Sequence, residues 1–134
     1  MMKNSINYIS VKDSEKIIQK ARNHIGTHLV ELQGNEIQSW KDYIRRIEVD
    51  FEFPTQCADI WARYMDWIRD LSWLGKEAYV LVIHDYTSFL RKDLKLKKGI
   101  IESFTDYILP WWQEDVVNCV VGGRAKPFNV YLVD

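Results

Sequence analysis

A row of carboxylates between residues 51 and 74 is the first candidate for chemistry in this sequence. At 100° per residue, Asp59, Asp66 and Asp70 fall on one side of a helix, opposite an apolar stripe. This acidic side could therefore face a basic partner. The alternative is an ordinary solvated surface, because Arg63 lies four residues after Asp59 and three before Asp66, which is the spacing of intrahelical ion pairs.

Apolar side chains border the acidic side of this helix. Ile60 and Trp67 flank one edge and Met65 flanks the other. Apolar residues beside charged ones are typical of protein interfaces. The stripe on the opposite side is expected to enter the core, and it comprises Cys57, Trp61, Tyr64, Ile68 and Leu71.

Histidines give weaker signals of chemistry. His84 and Asp85 close a predicted buried strand, a position where α/β proteins often place an active site. A small hydrolase using His84 as a base, with Cys57 or Cys119 as its nucleophile, is therefore one alternative. His24 and His28 are four residues apart, but the predicted helix ends between them, and the cysteines lack metal-ligand spacing. The sequence predicts neither a metal nor a cofactor.

Composition favours one folded domain without a strong overall electrostatic field. The 134 residues carry a formal net charge of -1, which excludes binding to nucleic acid through global charge. The basic run from 91 to 99 lacks the interleaved aromatics of a single-strand platform, so no direct contact with nucleic acid is predicted. Without a signal peptide or about 18 consecutive apolar residues, the chain is expected in the cytoplasm and not in a membrane. Cys57 and Cys119 are expected to be buried, reduced thiols.

Hydrophobic periodicity predicts the elements that position these residues. A helix is expected to begin near Asp13 or Ser14, a second at the Ser39/Asp42 capping pair, and the carboxylate-bearing helix after Pro54, capped by Thr55 or Asp59. The order of helices and strands predicts an α/β fold with a small three-stranded parallel sheet and helices packed against it. The predicted strands are 28–33, 80–85 and 128–133.

The same patterns predict which side chains form the core. Each candidate occupies an apolar position on the inward face of a predicted helix or strand. The expected core positions are Leu29, Leu32, Ile44, Ile47, Trp61, Tyr64, Ile68, Val82, Phe104 and Val130.

From Val30 through Asp66 the chain resembles the barstar family of intracellular ribonuclease inhibitors without a gap. "VELQGNEIQSWKDYI" resembles the family's first strand, glycine turn and first helix, and "FEFPTQC" resembles the loop before its inhibitory helix. "ARYMDWIRDL" places Asp66 at the central inhibitory aspartate, twelve residues after the loop proline. After an insertion around "SWLGKEA", the segments "VLVIHDYTSF", "IIESFTDY" and "FNVYLVD" resemble the second strand, last helix and final strand.

The resemblance implies a non-catalytic inhibitor, an antitoxin or immunity protein, that blocks a ribonuclease or other basic nuclease toxin. Its acidic helix face would enter the active site, where carboxylates replace substrate phosphates. The implied organisation is an N-terminal helical extension, 1–26, and a barstar-like domain, 27–134, that is a monomer when free. The implied partner-binding residues are Asp66, Asp59, Asp70, Met65, Trp67, Ile60, Gln56, Ala62 and, on the last helix, Asp106.

Five positions depart from the family's pattern. Gln56 stands where the family has a loop aromatic, and Ala58 where it has a loop glycine. Ile60 replaces a polar anchor, Ala62 a second aspartate, and Met65 a tryptophan at the contact edge. These departures favour a target other than barnase, the ribonuclease that barstar inhibits. A barstar-fold interaction module with a non-nuclease partner is the other reading they leave open.

Overall fold

Four parallel strands form the centre of the molecule in the computed structural model, which describes residues 3–134. They are β1 (Ile6–Ile9), β2 (Thr27–Gln33), β3 (Ala78–His84) and β4 (Phe128–Val133), in the spatial order β1-β4-β3-β2. Every neighbouring pair is parallel. The apolar run of β3 is buried because β3 lies inside the sheet, with helices packed against it.

The sheet therefore has four strands, and the expectation of three is wrong. The missed strand, β1, has only four residues and lies at an edge, where a short segment gives too weak an alternation to be recognised. It pairs with β4 from Ile6 opposite Val130 to Ile9 opposite Val133. The three predicted strands are confirmed within two residues at each end, as is the α/β class.

Five α-helices within residues 3–134 complete the fold, and a serine caps each of the first two. In α1 (Val11–Asn23) the cap is Ser10, whose hydroxyl accepts a hydrogen bond from the amide of Asp13, so the helix begins earlier than predicted. In α2 (Trp40–Asp50) the Ser39 hydroxyl accepts from the amide of Asp42 as predicted. The remaining helices are α3 (Trp61–Ile68), α4 (Leu94–Ser103) and α5 (Val116–Cys119).

The segment between α4 and α5 stays helical across Pro110. Two π-helical turns, Phe104–Ile108 and Trp111–Asp115, flank the proline, which has helical dihedral angles of -62° and -35°. Proline lacks an N–H donor and crowds the preceding turn of an α-helix, and wider turns are a common accompaniment of such irregularities. Proline usually ends or kinks a helix, but here it only changes the hydrogen-bond pattern within one continuous helical rod.

The predicted core is confirmed at eight of its ten positions. Leu29 is only partly buried against a small second cluster, and Trp61 is 40% exposed. The expectation for Trp61 is wrong because α3 begins at this residue, so its side chain lies at the end of the helix rather than over the core. The confirmed positions are Leu32, Ile44, Ile47, Tyr64, Ile68, Val82, Phe104 and Val130.

Three further expectations concern the whole chain. Both cysteines are free, and Cys57 is buried as expected. Cys119 is exposed because it lies at the end of α5, so the expectation that it is buried is wrong. No helix within residues 3–134 is long and apolar enough to cross a bilayer. The predicted extension, 1–26, contains β1 and α1. Its residues 1 and 2 lie outside the described part of the chain. A domain boundary at residue 26 stays a prediction.

Candidate functional site

The loop leading into α3 is fixed from its inner side. The Trp40 indole donates a hydrogen bond to the carbonyl of Ala58 at 2.9 Å, and the Glu48 carboxylate accepts one from the amide of Cys57 at 2.7 Å. Ala58 has a φ of 50°, in the left-handed region that favours glycine. The loop thus keeps a glycine-like backbone at the position where the sequence resembles a glycine-bearing loop.

The N-terminus of α3 has no side-chain cap. Ile60 is the capping residue and offers no oxygen to the first amides of the helix. Neither predicted cap acts as one: the Thr55 hydroxyl accepts a hydrogen bond from the Trp67 indole at 3.1 Å, and Asp59 is exposed. The partial positive charge of the helix N-terminus therefore remains open to solvent.

The inner face of α3 is fully packed. The hydroxyls of Tyr43 and Tyr64 lie 2.7 Å apart, both side chains are completely buried, and burial raises the pKa of each well above its usual value. Ile68 is also completely buried, and its carbonyl accepts a hydrogen bond from the Trp112 indole at 3.1 Å. These contacts fix the orientation of the helix, and so they determine which side chains point outward.

Asp66 lies on the outer face, as its spacing from the apolar stripe predicts. Its side chain is 78% exposed, and its nearest cation is the Arg69 guanidinium at 4.0 Å. Arg69 also donates to the carbonyl of Met65 at 3.1 Å and lies 5.3 Å from the centre of the Trp111 ring. Among the described residues, Arg63 forms no ion pair with Asp59 or Asp66, so the pairing expected for an ordinary solvated surface is not formed.

The apolar borders of the acidic face differ from the expectation on one side. Met65 is only 8% exposed and belongs to the core, because the core extends past the predicted stripe along that edge of the helix. Its expected exposure at the border of the acidic face is therefore wrong, whereas its contact with a partner stays a prediction. On the other edge, Ile60 is 44% exposed, while Trp67 is half-buried and packs edge-to-face on Trp73 with ring centres 5.4 Å apart.

The remaining predicted contact residues are all exposed. Asp70 follows α3 and accepts a hydrogen bond from the amide of Ser72 at 3.2 Å, which ties it to the local turn. Asp106 lies on the first π-helical turn, on a different helical segment from α3. The exposed members of the set are Gln56, Asp59, Ile60, Ala62, Asp66, Asp70 and Asp106.

A groove of about 540 Å³ beside Asp66 was not foreseen from the sequence. Asp66, Arg69 and Asp70 form one wall, and the chain beyond Pro110 forms the other with Trp111 and Arg124 among its residues. The position of Arg69, three residues after Asp66, was a usable signal for their proximity. No local pattern links Arg124 to α3, because their proximity depends on how the C-terminal segment folds back.

His84, the base of the alternative catalytic site, is paired with a carboxylate. Its Nε2 lies 2.9 Å from the Glu31 carboxylate, which also pairs with Arg22 at 3.0 Å. Burial, reinforced by the charge of Glu48 and opposed by Arg63, raises the pKa of the Cys57 thiol to about 11, so it is protonated at neutral pH and a weak nucleophile.

The other histidines have local partners. His24 contacts the Thr27 hydroxyl at 2.8 Å, and His28 contacts the carbonyl of Asp50 at 2.7 Å. Helix α1 ends at Asn23, before both of them, so they do not share a helix face. Within residues 3–134, no group of three or more His, Cys, Asp and Glu side chains could hold a metal ion.

Comparison with known proteins identifies one family over most of the chain. Residues 27–132 match the family Barstar, described as barnase inhibitor. The chain is also similar to the bifunctional levopimaradiene synthase, chloroplastic, of Ginkgo biloba, with 24% identity over 136 residues. That similarity covers 88% of this chain but only 15% of the length of the synthase. No solved structure matches the chain significantly.

Proposed function

This chain belongs to the barstar family, and from that premise we propose that it is a non-catalytic inhibitor of a ribonuclease or other basic nuclease toxin. In this proposal it acts in the cytoplasm as an antitoxin or immunity protein and is a monomer when free. It needs no cofactor, because inhibition consists of occupying the active site of the nuclease with the outer face of α3.

The exposure of Asp66 carries this proposal. A carboxylate that is 78% exposed, with its nearest cation at 4.0 Å, is free to accept closer hydrogen bonds from the arginine and lysine side chains of a nuclease active site. The packed inner face holds the helix in place, so little ordering is needed on binding. The proposed contact residues are Asp66, Asp59, Asp70, Trp67, Ile60, Gln56, Ala62 and Asp106.

Replacement of Asp66 by alanine tests the proposal. The probe is the nuclease encoded beside the gene, or the nuclease captured from the native host on the immobilised chain. Asp66→Ala should weaken binding by about 2 kcal/mol or more, on the order of 30-fold in dissociation constant. Its free energy of unfolding should change by about 0.5 kcal/mol or less, because the side chain is exposed.

Glu15→Ala is the matched control, since Glu15 is an exposed carboxylate on α1. This variant should bind and unfold like the wild type. If the Asp66→Ala protein unfolds, Asp66 is structural; if a confirmed nuclease binds that variant as tightly as wild type, the protein inhibits through another surface.

The salt dependence of association tests the electrostatic part separately. Added salt should slow association of the wild type, because it screens attraction between the carboxylates and the basic site. A variant in which Asp59, Asp66 and Asp70 are all alanine should show a smaller salt dependence. Equal salt dependence of the two proteins would contradict electrostatic recognition by this face.

A second candidate is an interaction module of the same fold with a non-nuclease partner. The observation that favours it is the loss of polar and aromatic residues at Gln56, Ile60 and Ala62, positions where the resemblance would place contacts with a nuclease. Pull-down from the native host separates the two candidates. A captured partner without nuclease activity that binds the same face would support the module and exclude the inhibitor.

A further inference from the structure

The outer surface of α3 and its entry loop has two chemically different halves. The half around the C-terminus carries Asp66 and Asp70. The half around the N-terminus presents Ile60, which is 44% exposed, Trp61, which is 40% exposed, and the exposed Ala62. The exposed Asp59 also lies in this half, but a cationic active site cannot account for contacts with its three apolar side chains.

The helix dipole strengthens this division. The C-terminal end of a helix carries partial negative charge, which adds to the attraction of Asp66 and Asp70 for cations. The N-terminal end carries partial positive charge, and Ile60 provides no oxygen to neutralise it. A basic group of the partner is therefore favoured more strongly near Asp66 and Asp70 than at the N-terminal end, where Asp59 supplies the only exposed carboxylate next to Ile60.

Trp61 is held in place although it is exposed. Its ring centre lies 5.4 Å from that of Trp40 and 5.3 Å from that of the buried Tyr64. Trp40 is itself fixed by its hydrogen bond to the carbonyl of Ala58. A large aromatic side chain already held in one orientation loses little conformational freedom on binding, which is a property of binding hot spots.

A groove extends this apolar surface across the entry loop onto α2. Its volume is about 780 Å³, and it shares Trp40 and Ala58 with the support of Trp61. Its apolar lining also includes Phe53 and Val49, which is 61% exposed. The groove also carries charged side chains, including Lys41, Arg45 and Glu48, so its apolar residues form part of a mixed surface. This surface adjoins Trp61 through Trp40 and is wide enough to receive a protruding side chain.

We propose that the nuclease partner carries an exposed apolar segment beside its basic site, and that Ile60, Trp61 and the groove bind this segment while Asp66 binds the cations. This inference rests on the proposed inhibitor function, and it specifies the chemistry of the partner.

Two variants test the apolar half, with the captured nuclease as the probe. Ile60→Ser places a favourable N-cap at the start of α3, so stability should be unchanged or higher while apolar contact is lost. Trp61→Ala removes the aromatic anchor, and its folding is checked by chemical denaturation. We expect at least tenfold weaker binding for Trp61→Ala and about three- to tenfold for Ile60→Ser.

Binding measured in high salt distinguishes this inference from the proposed inhibitor function. In 1 M salt, where charge attraction is screened, the wild type should retain measurable binding and Trp61→Ala should not. If both apolar variants bind within twofold of wild type while Asp66→Ala binds weakly, this inference is wrong and the inhibitor proposal stands. If Asp66→Ala binds normally and the apolar variants bind weakly, the apolar contact stands and electrostatic inhibition is wrong.

Discussion

The two sides of α3 differ in how completely their polar groups find partners within the chain. On the inner side, the Tyr43 and Tyr64 hydroxyls bond to each other, and the Ile68 carbonyl accepts the Trp112 indole. On the outer side, Asp66 has a cation no closer than 4.0 Å. The inner side therefore determines whether the helix is in place, and the outer side is available for a partner. Substitutions on the two sides should affect different measurements.

The largest loss of folding stability should come from ionising the Tyr43 and Tyr64 hydroxyls at high pH. Burial raises the pKa of Tyr43 and Tyr64 above the unfolded value of about 10, so the native state holds both protons more tightly. The stability they confer is complete below pH 10 and is lost as the pH rises further. Together they should lower the free energy of unfolding by roughly 3 kcal/mol per pH unit above 10. Urea denaturation between pH 8 and 12 measures this loss.

The double variant Tyr43→Phe/Tyr64→Phe is the control for that measurement. It removes both titrating hydroxyls together, so neither is left without a partner. Its stability should fall less steeply above pH 10, with the remaining decline due to groups such as Tyr79, whose pKa burial raises to about 12. An unchanged slope would show that the buried pair does not control alkaline unfolding.

Truncation of Ile68 should give the next largest effect. Ile68→Ala removes a completely buried side chain, and such truncations destabilise proteins by about 2–5 kcal/mol through lost burial and a residual cavity. Arg63→Ala on the outer face of the same helix is the control and should change stability by about 0.5 kcal/mol or less. Similar midpoints of denaturation for the two variants would contradict the conclusion that the inner side of α3 carries the stability and the outer side does not.

Much of this division could be predicted from the sequence, because helical spacing fixes relative directions. Tyr64 and Ile68 are buried and Asp66 is exposed, as the 100° rotation per residue requires. The spacing does not say where the helix begins or how far the core extends around it. These are the reasons why Trp61 is exposed and Met65 is buried, against expectation.

Other features depend on contacts between distant segments and had no local signal. Strand β1 is recognisable only through its pairing with β4, more than 120 residues later in the chain. The contact of Arg69 with Trp111 depends on the helical rod continuing across Pro110, where proline normally favours a break. The charged groove beside Asp66 follows from these tertiary contacts.

The smallest expected effect lies at Ala58, where the entry loop joins the two sides of the helix. Its φ of 50° is costly for a residue with a Cβ atom, by roughly 1–2 kcal/mol, and this cost is absent for glycine. Glycine also makes the unfolded chain more flexible, which offsets about 0.4–1 kcal/mol of that gain. Ala58→Gly should therefore raise the free energy of unfolding by up to about 1.5 kcal/mol, as measured by chemical denaturation. Because the Trp40 indole bonds to the carbonyl of residue 58 and not to its side chain, the loop should keep its shape, and the dissociation constant for the nuclease should change less than twofold.

A destabilised variant would mean that the left-handed backbone at this position carries no strain, whereas unchanged stability with much weaker binding would mean that the Ala58 methyl group itself contacts the partner.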